Sequence, residues 1–126
     1  MKRISFNPRF LNETGDDLIP GKIHTIRQNY NFWKCFEGQE VALFTWEGKP
    51  YRSKQKVFCV KRVISVQKVH FTGCTFAIEN KNIDGPTLAR NDGFSKWAQM
   101  MNWFDNYPVG YMAIIHFTNF AYGGKA

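Results

Sequence analysis

The stretch 51–71 constrains the fold more than any other. Val57, Phe58, Val60, Val63, Ile64, Val66 and Val69 crowd into it. β-branched and aromatic side chains suit a pleated surface and lose rotamer freedom in a helix. The run has room for one bent strand or two. Val41-Ala42-Leu43-Phe44-Thr45-Trp46 before it reads as a buried strand closed by Glu47-Gly48-Lys49-Pro50, and Thr72-Gly73 after it turns the chain into a further strand at 74–79. Strands in direct succession favour antiparallel pairing. No glycine-rich strand-to-helix turn and no regular βαβ alternation argue for a doubly wound sheet.

The flanking segments complete an α+β pattern. Residues 2–6 alternate as a short first strand. Pro8 permits a helix start, with Phe10, Leu11 and Leu18 on its buried side, interrupted by Gly15 and ended by Pro20-Gly21. Lys81 to Pro86 is a loop rich in Asn, Asp and Gly. Phe94, Trp97, Met101 and Phe104 recur at helical spacing, with Ser95 as the cap and Tyr107-Pro108 as the stop. Residues 111–118 form a last strand, and 119–126 read as a frayed tail. The expected architecture is one domain over 1–126, a mixed β-barrel with flanking helices.

At 126 residues, with 44% hydrophobic and 17% aromatic content, the chain has material for one core. Its formal charge of +7 favours polyanions such as RNA, or simply makes a basic soluble protein. Cys35, Cys59 and Cys74 are odd in number and lack metal-site spacing, so neither a disulfide framework nor zinc is expected. They read as reduced, buried, small apolar residues in a cytoplasmic protein. No signal peptide or membrane span is legible, and nothing calls for a cofactor.

Lys22, Thr25 and Arg27 lie within six residues, just after Pro20-Gly21. A lysine ammonium loses basicity on burial, a threonine offers a hydroxyl nucleophile or donor, and an arginine fork suits phosphate, carboxylate or a base edge. In an extended chain Ile23, Thr25 and Arg27 share one side and His24 and Ile26 the other. The same residues also read without chemistry, as a lysine at a strand mouth, a strand-favouring threonine and an arginine paired to a carboxylate. His24, His70 and His116 are far apart in sequence and read as structural.

Gly21-Lys22-Ile23-His24-Thr25-Ile26-Arg27 resembles the Lys-x-x-Thr-x-Arg signature of the ASCH domain, a branch of the PUA-like superfamily. Glu37-Gly38 with strand 41–46, then Asn91-Asp92-Gly93-Phe94 before a helix, Tyr107-Pro108 and a closing strand extend the likeness over roughly residues 3–118. The resemblance implies a PUA-like barrel with a cleft beside the Lys-Thr-Arg strand, and a link to RNA or modified nucleosides. Some small ASCH members deacylate N4-acetylcytidine with a Lys, a Thr and a Glu. Carried over, these are Lys22, Thr25 and, by counting back from Tyr107-Pro108, Asp92, where aspartate stands in place of glutamate. In such an amidohydrolase Lys22 accepts a proton, Thr25 or water attacks, Asp92 returns the proton to the amine, and Arg27 or a backbone N–H holds the oxyanion.

Three functions are expected in turn. First comes RNA or nucleoside binding, with Lys22 and Arg27 on phosphate or base edge and Tyr30 or Trp33 stacking on a base. Arg52, Lys54 and Lys56 would share one strand face and track a backbone, unless they merely solvate it or blunt an edge. The aromatics from Tyr30 to Phe36 also read as core over the barrel mouth. Second is the amidohydrolase, with ribonuclease activity a further possibility. Third is an interaction module using Trp97, Met100, Met101, Trp103 and Phe104.

Overall fold

A computed structural model describes residues 1–123. Strand β1 (Lys2–Ser5) leads into a single 3₁₀ turn at Pro8–Phe10, then β2 (His24–Gln28) and helix α1 (Tyr30–Lys34). Strands β3 (Glu40–Trp46), β4 (Gln55–Arg62), β5 (Ser65–Phe71), β6 (Phe76–Ile78) and β7 (Lys81–Asn82) follow. Helices α2 (Gly85–Asn91) and α3 (Trp97–Trp103) precede the last strand, β8 (Gly110–His116).

The strands form two sheets, ordered β1-β3-β4 and β2-β8-β5-β6-β7, rather than one closed ladder. The α+β class is as expected. β3 is the middle strand of the small sheet and β8 lies between β2 and β5 in the large one, and both are buried for five consecutive residues, Val41–Thr45 and Met112–His116. Covered on both faces, such strands read as continuous apolar runs rather than alternating ones. Ile4, Val41 and Leu43 from the small sheet, Ile26, Val69 and Ile114 from the large one, and Leu88 and Met100 from α2 and α3 belong to one hydrophobic cluster.

Several expectations are corrected. The 51–71 stretch is two strands in different sheets: β4 pairs with β3, and β5 pairs with β8 and β6. The helix expected after Pro8 stops at Phe10. Asn12 Oδ1 accepts the Asp16 and Asp17 amides, and Leu11 bridges Leu18, so side-chain bonds replace a helical ladder. Residues 81–86 contain β7 and the start of α2, where Asp84 accepts from the Thr87 amide as N-cap. Lys96, not Ser95, takes the N-cap position of α3; Ser95 Oγ instead donates to Gln99 Oε1.

Cys35 and Cys74 are exposed and Cys59 is half-buried, so the cysteines are not core residues. Within the tail, Tyr122 is tied to the large sheet. Gln67 bonds both the backbone N–H and the carbonyl of Tyr122. Residues 124–126 lie outside the described part.

Candidate functional site

Thr25 and Arg27 project from one side of β2, as the two-residue period of a strand requires. Arg27 Nε donates to Thr25 Oγ1 at 3.1 Å, and Arg27 Nη2 donates to the Ser5 carbonyl at 2.6 Å. The guanidinium thereby spans from one sheet to the other. Lys22 precedes β2, and its side chain runs inward to Asp92. Nζ donates to the Asp92 carbonyl at 2.6 Å and to Oδ1 at 3.2 Å.

Asp92 is placed by the way α2 ends. The Phe94 amide bonds the Ala89 carbonyl and the Gly93 amide bonds the Arg90 carbonyl, the double closure of a Schellman motif. That motif needs a left-handed residue after the cap, and Gly93 supplies it at φ +92°. A Cβ there would stand 2.9 Å from Lys22 Cδ. Glycine thus serves both the turn and the passage of the lysine stem.

Lys22, Thr25, Arg27 and Asp92 line one cavity of about 220 Å³. Phe6, Phe10, Trp103 and Tyr107 form its apolar walls, with Ser5 and Asn7 beside them. That is smaller than the ~300–1,000 Å³ typical of drug-sized ligands, so one flat ring with a small substituent is the right scale. Lys22 Nζ lies 4.6 Å from the Phe10 ring centre and Arg27 Cζ 4.9 Å from that of Phe6, so rings face both cations. Burial pulls the Lys22 ammonium below its ordinary value, against the opposing pull of the Asp92 carboxylate. The cavity therefore offers a hydroxyl proton on Thr25, a charged fork on Arg27 and a softened amine on Lys22.

The other side of β2 is closed. His24 stands opposite His116 in the β2–β8 register, with ring centres 5.4 Å apart. Its Nδ1 meets Asp92 Oδ1 at 3.1 Å and its Nε2 meets the Tyr122 hydroxyl at 2.6 Å. Asn91 Nδ2 donates to that hydroxyl at 3.1 Å. The Asp92 carboxylate can only accept, so the imidazole proton belongs on Nδ1 and Nε2 accepts from the Tyr122 hydroxyl. Burial lowers the His24 pKa and raises that of the Tyr122 phenol. His116 Nε2 is 2.7 Å from Gln67 Oε1, while its buried Nδ1 has no partner among the described residues. Burial, with His24 close by, pulls His116 down to about 4.

Four of the expected ligand contacts fall elsewhere. Tyr30, Trp33, Arg52 and Lys54 do not line this cavity. Tyr30 opens α1, where the Lys68 ammonium covers its ring at 5.6 Å. Trp33 packs against the core and edges a separate groove. Arg52 lies in a turn closed by its own amide on the Lys49 carbonyl, and Lys54 precedes β4. Arg52, Lys54 and Lys56 therefore share no strand face, because only Lys56 is in the strand.

Sequence reading missed the aromatic walls and the His24–Tyr122 link. Phe6 and Phe10 flank Pro8 as bare apolar residues, and nothing local ties them to Lys22. Compared with known protein families, curated proteins and solved structures, the chain matches none. Among the described residues no helix is long and apolar enough to cross a membrane.

Proposed function

We propose that the Lys22–Thr25–Arg27 cavity binds one nucleobase-sized group, belonging to RNA or to a modified nucleoside, and that the chain is an ASCH-type, PUA-like domain. One observation carries the reading. Four polar residues from β2, the segment before it and the end of α2 meet in a single ring-walled hollow. The two sheets, tied by Arg27 across the cavity, would be the opened halves of the PUA-like barrel. Thr25 and Arg27 would bond a base edge while Phe6 or Tyr107 covers its face. Calorimetric titration with cytidine and with N4-acetylcytidine tests this. Saturable binding that Arg27→Ala weakens supports it, and no binding of either nucleoside overturns it.

Amidohydrolysis is the second reading, favoured by the buried amine. In it, neutral Lys22 takes the Thr25 hydroxyl proton as that oxygen attacks the acyl carbon. Arg27, already bonded to Thr25 Oγ1, would follow the negative charge onto the oxyanion. The proton then passes through Asp92 to the departing amine, and water hydrolyses the ester left on Thr25. Release of acetate from N4-acetylcytidine, absent in Lys22→Ala, is the expected outcome. A wild-type protein that binds the nucleoside without releasing acetate removes this reading and leaves the first.

A further inference from the structure

Tyr51 stands where a tyrosine is costly. The turn Lys49-Pro50-Tyr51-Arg52 closes by the Arg52 amide on the Lys49 carbonyl at 3.1 Å, and Tyr51 holds φ +63°. Proline second and a left-handed residue third is the pattern of a type II turn, whose third position favours glycine. A bulky side chain there is strained. The chain nevertheless carries a tyrosine, 89% exposed, with its ring 5.2 Å from that of Trp46. Trp46 in turn lies 5.3 Å from Phe44, so a tier of rings rises from the small sheet into solvent.

That tier separates two grooves beside the cavity. One, of about 380 Å³, has Lys2, Arg3 and Trp33 on its wall; the other, of about 410 Å³, has Asn7, Pro8 and Pro50. Tyr51 and Trp46 line both. Ser5 borders both grooves and the cavity, Arg27 joins the cavity to the first groove, and Phe6 and Asn7 join it to the second. The base-sized hollow thus adjoins both grooves through shared wall residues, and we read the three together as one track. The tip of the hairpin carrying Tyr51, residues 46–56, presents one carboxylate, Glu47, against Lys49, Arg52, Lys54 and Lys56.

We infer that this track holds single-stranded RNA, with one base turned into the cavity and a neighbouring base stacked on Tyr51 and Trp46. Lys2, Arg3 and Arg52 face the phosphates. The Ser5 hydroxyl and Asn7 amide at the junction offer partners to a ribose 2′-OH. The inference rests on the base-binding reading of the cavity and adds that the base belongs to a strand.

Fluorescence anisotropy with a short fluorescein-labelled oligoribocytidylate, beside calorimetry with free cytidine, tests it. The oligomer should bind on the order of tenfold or more tighter than cytidine and weaken as salt rises. Tyr51→Gly relieves the backbone strain and removes the ring. It should weaken oligomer binding roughly 5- to 100-fold and leave cytidine binding unchanged, while Tyr51→Phe keeps both. An oligomer that binds no tighter than cytidine, or one indifferent to Tyr51→Gly, overturns the track while the base cavity stands. Oligomer binding that depends on Tyr51 but not on Arg27, with cytidine and N4-acetylcytidine both inert, overturns the base in the cavity and with it the track. Equal or tighter binding of the matching oligodeoxyribonucleotide overturns the assignment to RNA.

Discussion

The two sides of β2 present polar residues of similar kind in opposite circumstances. On one side His24 has a partner on each ring nitrogen, and Tyr122, Asn91 and Gln67 complete the set. On the other side Thr25 has accepted one bond and its hydroxyl proton has no acceptor among the described residues, facing a hollow. Burial alone does not separate a structural site from a functional one, because His24 and Thr25 are both buried. Unspent hydrogen-bonding capacity beside empty volume does. Asp92 serves both sides, since the same Oδ1 meets Lys22 and His24.

The comparison breaks most severely at Asp92. Asp92→Ala should cost about 3–5 kcal/mol, because it strands a buried ammonium and removes the acceptor of the His24 proton. A urea midpoint close to wild type would show that the two sides are not joined there. Next in size is the response to acid, which belongs to the closed side. The unfolded chain takes protons on its histidines near 6.5, whereas folded His116 resists until about 4. Unfolded chains therefore bind the proton first, and stability present above pH 6.5 is lost as pH falls toward 4. The loss is on the order of 3 kcal/mol for His116, with His24 acting in the same direction. Urea titrations across that range should show the slope, and His116→Gln should flatten part of it.

Tyr122→Phe should cost about 1–3 kcal/mol by leaving His24 Nε2 and Asn91 Nδ2 unpartnered. Nucleoside binding should hold in that variant, because the phenol does not reach the cavity. Thr25→Val is the converse and the mildest to the fold, about 1 kcal/mol for the bond lost by Arg27 Nε. It should weaken nucleoside binding measurably. If the two variants exchanged their effects on binding and stability, the division of β2 into a closed and an open side would be wrong.

What was legible in the sequence follows from interaction range. The placing of Thr25 and Arg27 on one side needs only the alternation of an extended chain, and the spacing gave it. β3 and β8 are dense apolar runs and were readable for the same reason. Helix α2 was missed although its signals are local: Asp84 as cap, Pro86 in the first turn and Gly93 after the end. Asn82, Asp84 and Gly85 make 81–86 read as a loop instead. The His24–His116 pairing was not readable, because β2 meets β8 only after the whole large sheet forms. Asp92 came into view through resemblance alone; no periodicity links it to Lys22, seventy residues away. Arg52 and Lys54 show the opposite failure, where alternation was read into a turn.

Tyr122 is the last member of its network along the chain. Synthesis runs from the amino end, so β2 and β8 are both made before the phenol that caps His24. Until then the carboxylate steering Lys22 has a wet rear wall. A chain halted after His116 would hold every residue that touches the cavity and still lack the phenol that closes the far side of β2.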